Sequence, residues 1–185
     1  MEKTKLLEEE LNLVQDEELR TLVREFLETV VPAAFWEKPA SSSGRYHPKI
    51  DREEQGTVMH TKYVCAWAKE LMVLNQVSND IVVRADEIFA ACILHDTFNY
   101  GYTESEHTVT AHPQIAAVEW YKFCQKKKYK KVVRITNICE MIRCHMGQWG
   151  YSFPDYTDDT IAECCEFVHL CDYIASRKLI DGLEE

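Results

Sequence analysis

The chain has 185 residues, 46% of them hydrophobic, with 21 basic and 31 acidic side chains and a net charge of −10. That length and apolar content support one domain with a sizeable core, and the acidic balance excludes a general polyanion-binding surface. A small phosphate-bearing ligand stays compatible, because a bound metal supplies positive charge locally.

The eight cysteines include no Cys-x-x-Cys pair, which argues against a structural zinc site or a dithiol redox motif. Most stand among Ile, Val and Ala at helical spacing and read as buried reduced thiols, so a cytoplasmic protein is expected. Residues 1–10 are acidic and lack the apolar stretch of a signal peptide. No apolar run approaches the roughly 20 residues of a membrane span, so no membrane association is expected.

Helical periodicity runs through the chain, and no segment keeps up two-residue alternation between turn signals. Residues 1–40 are expected to form an N-terminal helical segment packed on a core spanning 41–185. Asp16 caps a helix reaching about Val30, with Leu19, Leu22, Val23, Phe26, Leu27 and Val30 on one face, and Pro32 stops it. Phe35-Trp36 then links to a loop, Pro39 to Gly44, which closes on Arg45-Tyr46-His47-Pro48. The next helix is predicted from about Glu53 to Leu74. Its inner face is Val64, Cys65, Ala68, Leu71 and Met72, and one turn back that face carries His60.

A further helix is predicted from about Arg84 to Asp96, with Ile81-Val82-Val83 as its lead-in. Ala85, Ile88, Phe89 and Cys92 face inward, and His95 and Asp96 continue that face until Asn99-Tyr100-Gly101 ends the element. His112-Pro113 opens the following helix with His112 as its cap, and Ala116, Trp120 and Phe123 lead inward. Lys126 to Lys131, interrupted by Tyr129, reads as a solvated helix end in so acidic a chain. Ile135, Ile138, Cys139 and Ile142 then mark an inner face on which His145 is the next step. Gly147 and Gly150 bracket a loop holding Trp149, with Tyr151 just beyond. The last helix starts near Asp158 or Asp159. Ile161, Cys165, Val168, Asp172 and Ala175 form its stripe, and His169 falls roughly 80° off it at about 100° per residue.

Five predicted helices or their ends therefore aim His60, His95, Asp96, His112, His145 and Asp172 at the interior. One core histidine is ordinarily just hydrogen-bonded. Six such groups are different, because each buried unpaired polar group costs about 1–3 kcal/mol. Convergence on a metal centre removes that cost in one place. Four histidines and two aspartates without thiolate suit Mn, Fe, Co, Ni or Zn. Six ligands exceed what one catalytic ion with an open position takes, and they suit two ions bridged by a carboxylate, for which Asp96 is the natural choice.

The order His60, His95-Asp96, His112, His145, Asp172 resembles the HD-domain superfamily of metal-dependent phosphohydrolases. His60, His95, Asp96 and Asp172 match its core pattern, and His112 and His145 resemble its binuclear branch. Gly56-Thr57-Val58-Met59-His60-Thr61, Ile93-Leu94-His95-Asp96 and Asp172-Tyr173-Ile174-Ala175-Ser176-Arg177 carry the likeness, which extends from about Tyr46 to Lys178. Two departures stand out. Many members carry Lys three positions after the motif Asp, where this chain has Asn99. Gly101-Tyr102-Thr103 does not reproduce the Gly-Tyr-Pro signature of the members that cleave cyclic dinucleotides.

The resemblance implies an all-α, single-domain HD-type helical bundle holding a pair of divalent transition metals, two ions of Mn, Fe, Co, Ni or Zn, with Mg also compatible. The implied reaction is hydrolysis of a phosphate ester or phosphodiester in a nucleotide, cyclic nucleotide or short nucleic acid by a metal-activated water. Extended duplex nucleic acid is not an expected partner. In this scheme Asp96 bridges two ions, with His60, His95 and Asp172 on one and His112 and His145 on the other. His107 or His47 protonates the leaving oxygen if the loops bring either into the pocket. Arg45, His47, Lys49, Lys62, Asn99, Arg143 and Arg177 are candidate substrate contacts, and Tyr46 or Trp149 can stack on a base. Two alternatives use the same residues: an HD-type di-iron oxygenase and a non-catalytic nucleotide-binding module.

Overall fold

A computed structural model describes residues 3–42, 47–74, 77–102, 105–150 and 159–177. A 3-10 turn, Lys3–Leu7, leads into α1 (Glu8–Leu11), followed by α2 (Glu17–Thr29) and α3 (Ala33–Glu37). A second 3-10 turn, Lys49–Arg52, precedes α4 (Gly56–Val73), then α5 (Asn79–Val83) and α6 (Ala85–Leu94). The chain closes with α7 (His112–Lys126), α8 (Val132–Cys144), a 3-10 turn Gly147–Trp149, and α9 (Asp159–Ala175). No strand occurs among the described residues, so the fold is all-α.

The arrangement is organised around α6. Every residue from Glu87 to Leu94 is buried, as expected of a helix that is apolar all round. It packs against α4, α8 and α9 and also against α1 and α2, while α7 packs on α8. Helix α2 belongs to this same core. Phe26 is fully buried and meets Trp120 and Phe123 of α7 edge-on, with ring centroids 5.4 Å apart in each pair.

Local chemistry moves several predicted boundaries. Phe35 and Trp36, which the sequence marks only as a link, sit within the short helix α3. Helix α4 starts at Gly56 because Lys49–Arg52 coil into the 3-10 turn and Gln55 takes a left-handed φ of 64°. Ile81-Val82-Val83 forms its own helix, α5, whose cap Ser78 accepts a hydrogen bond from the Ile81 N–H at 3.4 Å. His112 is the first residue of α7, with Ala111 in the cap position. The Ala111 carbonyl accepts the first helical bond, from Ile115, and the imidazole is turned back to the Val109 carbonyl.

The lysine run serves the fold. Lys127 pairs with Glu25 at 2.6 Å, and Lys131 pairs with Asp16 and Glu18 at 2.9 and 3.2 Å. Asp16 caps α2 through the Leu19 N–H at 3.0 Å and also receives Arg134, so it joins α2 to the start of α8. The Lys131 hydrogen bond, with those from Leu19 and Arg134, holds the Asp16 carboxyl well below the usual carboxylate range. Asp16→Ala should cost about 1–2 kcal/mol at pH 7, the worth of a good cap with exposed ion pairs adding little. The folded state favours the ionised form, so this contribution is complete above the unfolded pKa of about 4 and fades as pH falls toward the folded value. Urea unfolding of both proteins at pH 7 and pH 3 checks this; an undiminished difference at pH 3 contradicts it.

All eight cysteines are buried thiols. Burial pushes Cys139 and Cys171 up to about 12, and raises Cys65 and Cys92 well above their ordinary range, so none of these four is a nucleophile at neutral pH. Among the described residues, no helix is long and apolar enough to cross a membrane.

Candidate metal centre

Five helices meet at one end of α6. His60 lies one turn inside α4, His95 caps the C-terminus of α6 with Asp96 beside it, and His112 opens α7. His145 caps the C-terminus of α8, and Asp172 comes from the last turn of α9. The four histidines and Asp96 are buried, and the Asp172 side chain is 18% exposed. The structure thus brings all six predicted ligands together.

Asp96 divides its two oxygens. Its Oδ1 lies 3.0 Å from His112 Nε2 and 3.5 Å from His145 Nε2. Its Oδ2 lies 3.6 Å from His95 Nε2 and 3.9 Å from His60 Nε2. Asp172 Oδ1 adds to the second side, 2.8 Å from His60 Nε2 and 3.9 Å from His95 Nε2. Two groups that share Asp96 can therefore hold metal ions: His60, His95 and Asp96, and Asp96, His112 and His145.

The ring orientations fit a cation. His95, His112 and His145 each place Nδ1 2.7 Å from the carbonyl three residues earlier, Cys92, Val109 and Ile142. A carbonyl only accepts, so Nδ1 carries the proton and Nε2 turns its lone pair inward. His112 Nε2 and His145 Nε2 then face each other at 3.1 Å with Asp96 Oδ1 beside both, three acceptors that need a proton or a cation among them. His95 Nε2 is buried with no hydrogen-bond partner. A divalent cation relieves both conditions, and the nitrogen and oxygen donors suit a transition metal.

The carboxylates polarise the cluster unevenly. Burial works against a charged His60, but its hydrogen bond to Asp172, with Asp51 on its other side, raises it to about 10. His95 is as deeply buried yet hydrogen-bonds no carboxylate, and burial lowers it to about 4. Burial opposes ionisation of Asp96 and Asp172 as well. The surrounding imidazoles outweigh it, His95, His112 and His145 at Asp96 and chiefly His60 at Asp172, and hold both carboxyls below their usual range.

A cavity of about 370 Å³ opens over the cluster. It is near the lower end for ligand sites, which suits a small molecule. Of the predicted substrate contacts, His47, Asn99 and Arg177 line it. Five residues past Asp172 on a continuing helix, Arg177 would point off the ligand side, but α9 ends at Ala175 and the chain turns. The guanidinium then lies 3.8 Å over the Tyr173 ring. Lys62 and Arg143 do not line the cavity; they pair with Glu10 and Glu140. Each is two residues from a ligand histidine on its helix, about 200° around the axis, and so points away. Lys49 is exposed on the 3-10 turn, and His107 is exposed on the loop beside the lining residue Thr108. Arg45, Tyr46 and Tyr151 lie outside the described residues.

Two further residues join the site: Asp51, which no sequence pattern marks, and His169, which the helical spacing sets off the inward stripe of the last helix. Asp51 is fully buried, 3.2 Å from His47 Nδ1 and 3.5 Å from His60 Nδ1. Its segment has no periodicity to reveal it. His169 lines the cavity and holds the His145 carbonyl at 2.6 Å from Nδ1. Its spacing three residues before Asp172 was a usable signal, since i and i+3 share a helix face. A side chain on Gly147, at φ 53°, would collide with the His169 ring, so glycine is required there on two counts. Trp149 and Tyr173 stack on the cavity wall, planes 9° apart, with 51% and 37% of their surfaces exposed.

The chain matches no protein-family model, no curated protein and no solved structure.

Proposed function

We propose that this chain is a metal-dependent phosphohydrolase of HD type that acts on a small phosphate ester. The observation that carries the reading is the division of Asp96 between two histidine sets, one at each oxygen. A buried carboxylate so placed suits a bridge between two ions, with His60, His95 and Asp172 on one and His112 and His145 on the other. Such ions supply Lewis acidity toward phosphoryl oxygens and a water of lowered pKa.

The chain's own residues supply the remainder. Arg177 is the single Lys or Arg among the described residues that line the cavity, which favours a ligand of low charge over a polyphosphate or long nucleic acid. It stands to meet a phosphoryl oxygen. His47, held at Nδ1 by Asp51, has Nε2 left for the leaving oxygen and replaces His107 in that role. The exposed Trp149–Tyr173 pair suits a planar ring, as in a mononucleotide.

Elemental analysis of purified protein, joined to assays on a panel of phosphate esters with Mn, Fe, Co, Ni, Zn or Mg, tests the reading. About two ions per chain and turnover of a nucleoside monophosphate or similar ester are expected. Bound iron with oxygen uptake and no hydrolysis would shift the assignment to an oxygenase. A metal-free protein that binds nucleotides without turnover would make it a binding module.

A further inference from the structure

His60 is held differently from the other three histidines of the cluster, and the reason lies in its place on a helix. His95 and His145 sit at helix C-termini, where carbonyls are left unspent by the helical ladder, and each takes one at 2.7 Å, while His112 at the start of α7 shares the Val109 carbonyl with its own backbone N–H. His60 lies inside α4, where the equivalent carbonyl, Thr57, is engaged and also accepts the Thr61 hydroxyl at 2.9 Å. No backbone acceptor is left for His60 Nδ1. His60 Nδ1 is buried with no hydrogen-bond partner, and the carboxylate oxygen it faces is Asp51 Oδ2 at 3.5 Å, just beyond a good hydrogen bond.

Asp51 is held there at some cost. It is fully buried, and its Oδ1 has no hydrogen-bond partner, an arrangement that does not serve stability. Its backbone is clamped: the Asp51 carbonyl accepts the Ala40 N–H at 2.8 Å, and any side chain on Gly56 would collide with that carbonyl. The same Oδ2 also takes His47 Nδ1 at 3.2 Å.

We infer that Asp51 is a positioning residue for His60: once a metal ion takes Nε2 in place of the Asp172 contact, Asp51 receives the Nδ1 proton and holds the ring with Nε2 on the ion, while it anchors His47 on the cavity wall. This rests on the metal-centre reading above and assigns Asp51 the part that backbone carbonyls play for the other histidines. Partners of this kind at ligand histidines are worth 10- to 100-fold in metal affinity.

The test uses Zn²⁺ alone, titrated into the full chain against a chromophoric chelator, for wild type and Asp51→Asn. One of two binding steps should weaken about 10- to 100-fold in the variant. The step at Asp96, His112 and His145 should be unchanged. Wild-type affinity at both steps overturns the inference. Should the variant not fold, ¹⁵N NMR of the zinc-loaded wild type decides: a protonated Nδ1 on His60 supports the assignment, and a protonated Nε2 overturns it. Wild type that takes up no zinc removes the metal-centre reading itself, a result distinct from equal affinities in both proteins.

Discussion

Asp96→Ala should leave a folded protein that retains neither ion and has lost on the order of 10³-fold or more of its phosphoesterase activity. Asp96 is the one residue shared by both groups of ligands, with Oδ1 toward His112 and His145 and Oδ2 toward His60 and His95. His112→Ala removes a ligand from one group only, so one ion should remain. Ions per chain by elemental analysis, read beside kcat for the same preparations, separates the two variants. An Asp96→Ala protein with two ions and wild-type turnover would sink the bridged reading. The ion-free variant should keep its helical circular dichroism, because the apolar core does not include Asp96.

Phe26→Ala should destabilise the whole chain by about 3–5 kcal/mol in a single transition. Phe26 is fully buried, and truncation removes two edge-on ring contacts, to Trp120 and Phe123, and opens a cavity between α2 and α7. Urea unfolding followed by circular dichroism and by tryptophan fluorescence measures it. Coincident transitions, both shifted, are the expected result, since residues from Leu7 to Ala175 belong to one hydrophobic cluster. Two separate transitions, with only the first sensitive to the substitution, would show that the N-terminal segment folds on its own account.

Most of the helical layout was legible in the chain. The stripes through Leu19–Leu27, Ala85–Cys92 and Ile135–Ile142 repeat at helical spacing, and His95 and His145 extend theirs by one step. The boundaries were less legible where local hydrogen bonds intervene, as at the left-handed Gln55 before α4 and the Ser78 cap that makes α5 a separate helix. Which of the candidate cations reach the cavity is decided by helix geometry. Lys62 and Arg143 turn about 200° from His60 and His145, whereas Arg177 is brought to the cavity by the end of α9.

The sequence by itself determined that the fold is helical and that histidines and aspartates lie on faces turned inward, because helical periodicity is a local property of neighbouring residues. Only the tertiary structure decided that five helices bring those faces to one point, that Asp96 splits its oxygens between two histidine sets, and that Asp51 stands behind His60. Those are distances between segments far apart in the chain. They are set by how α4, α8 and α9 pack around α6, and no local pattern encodes them.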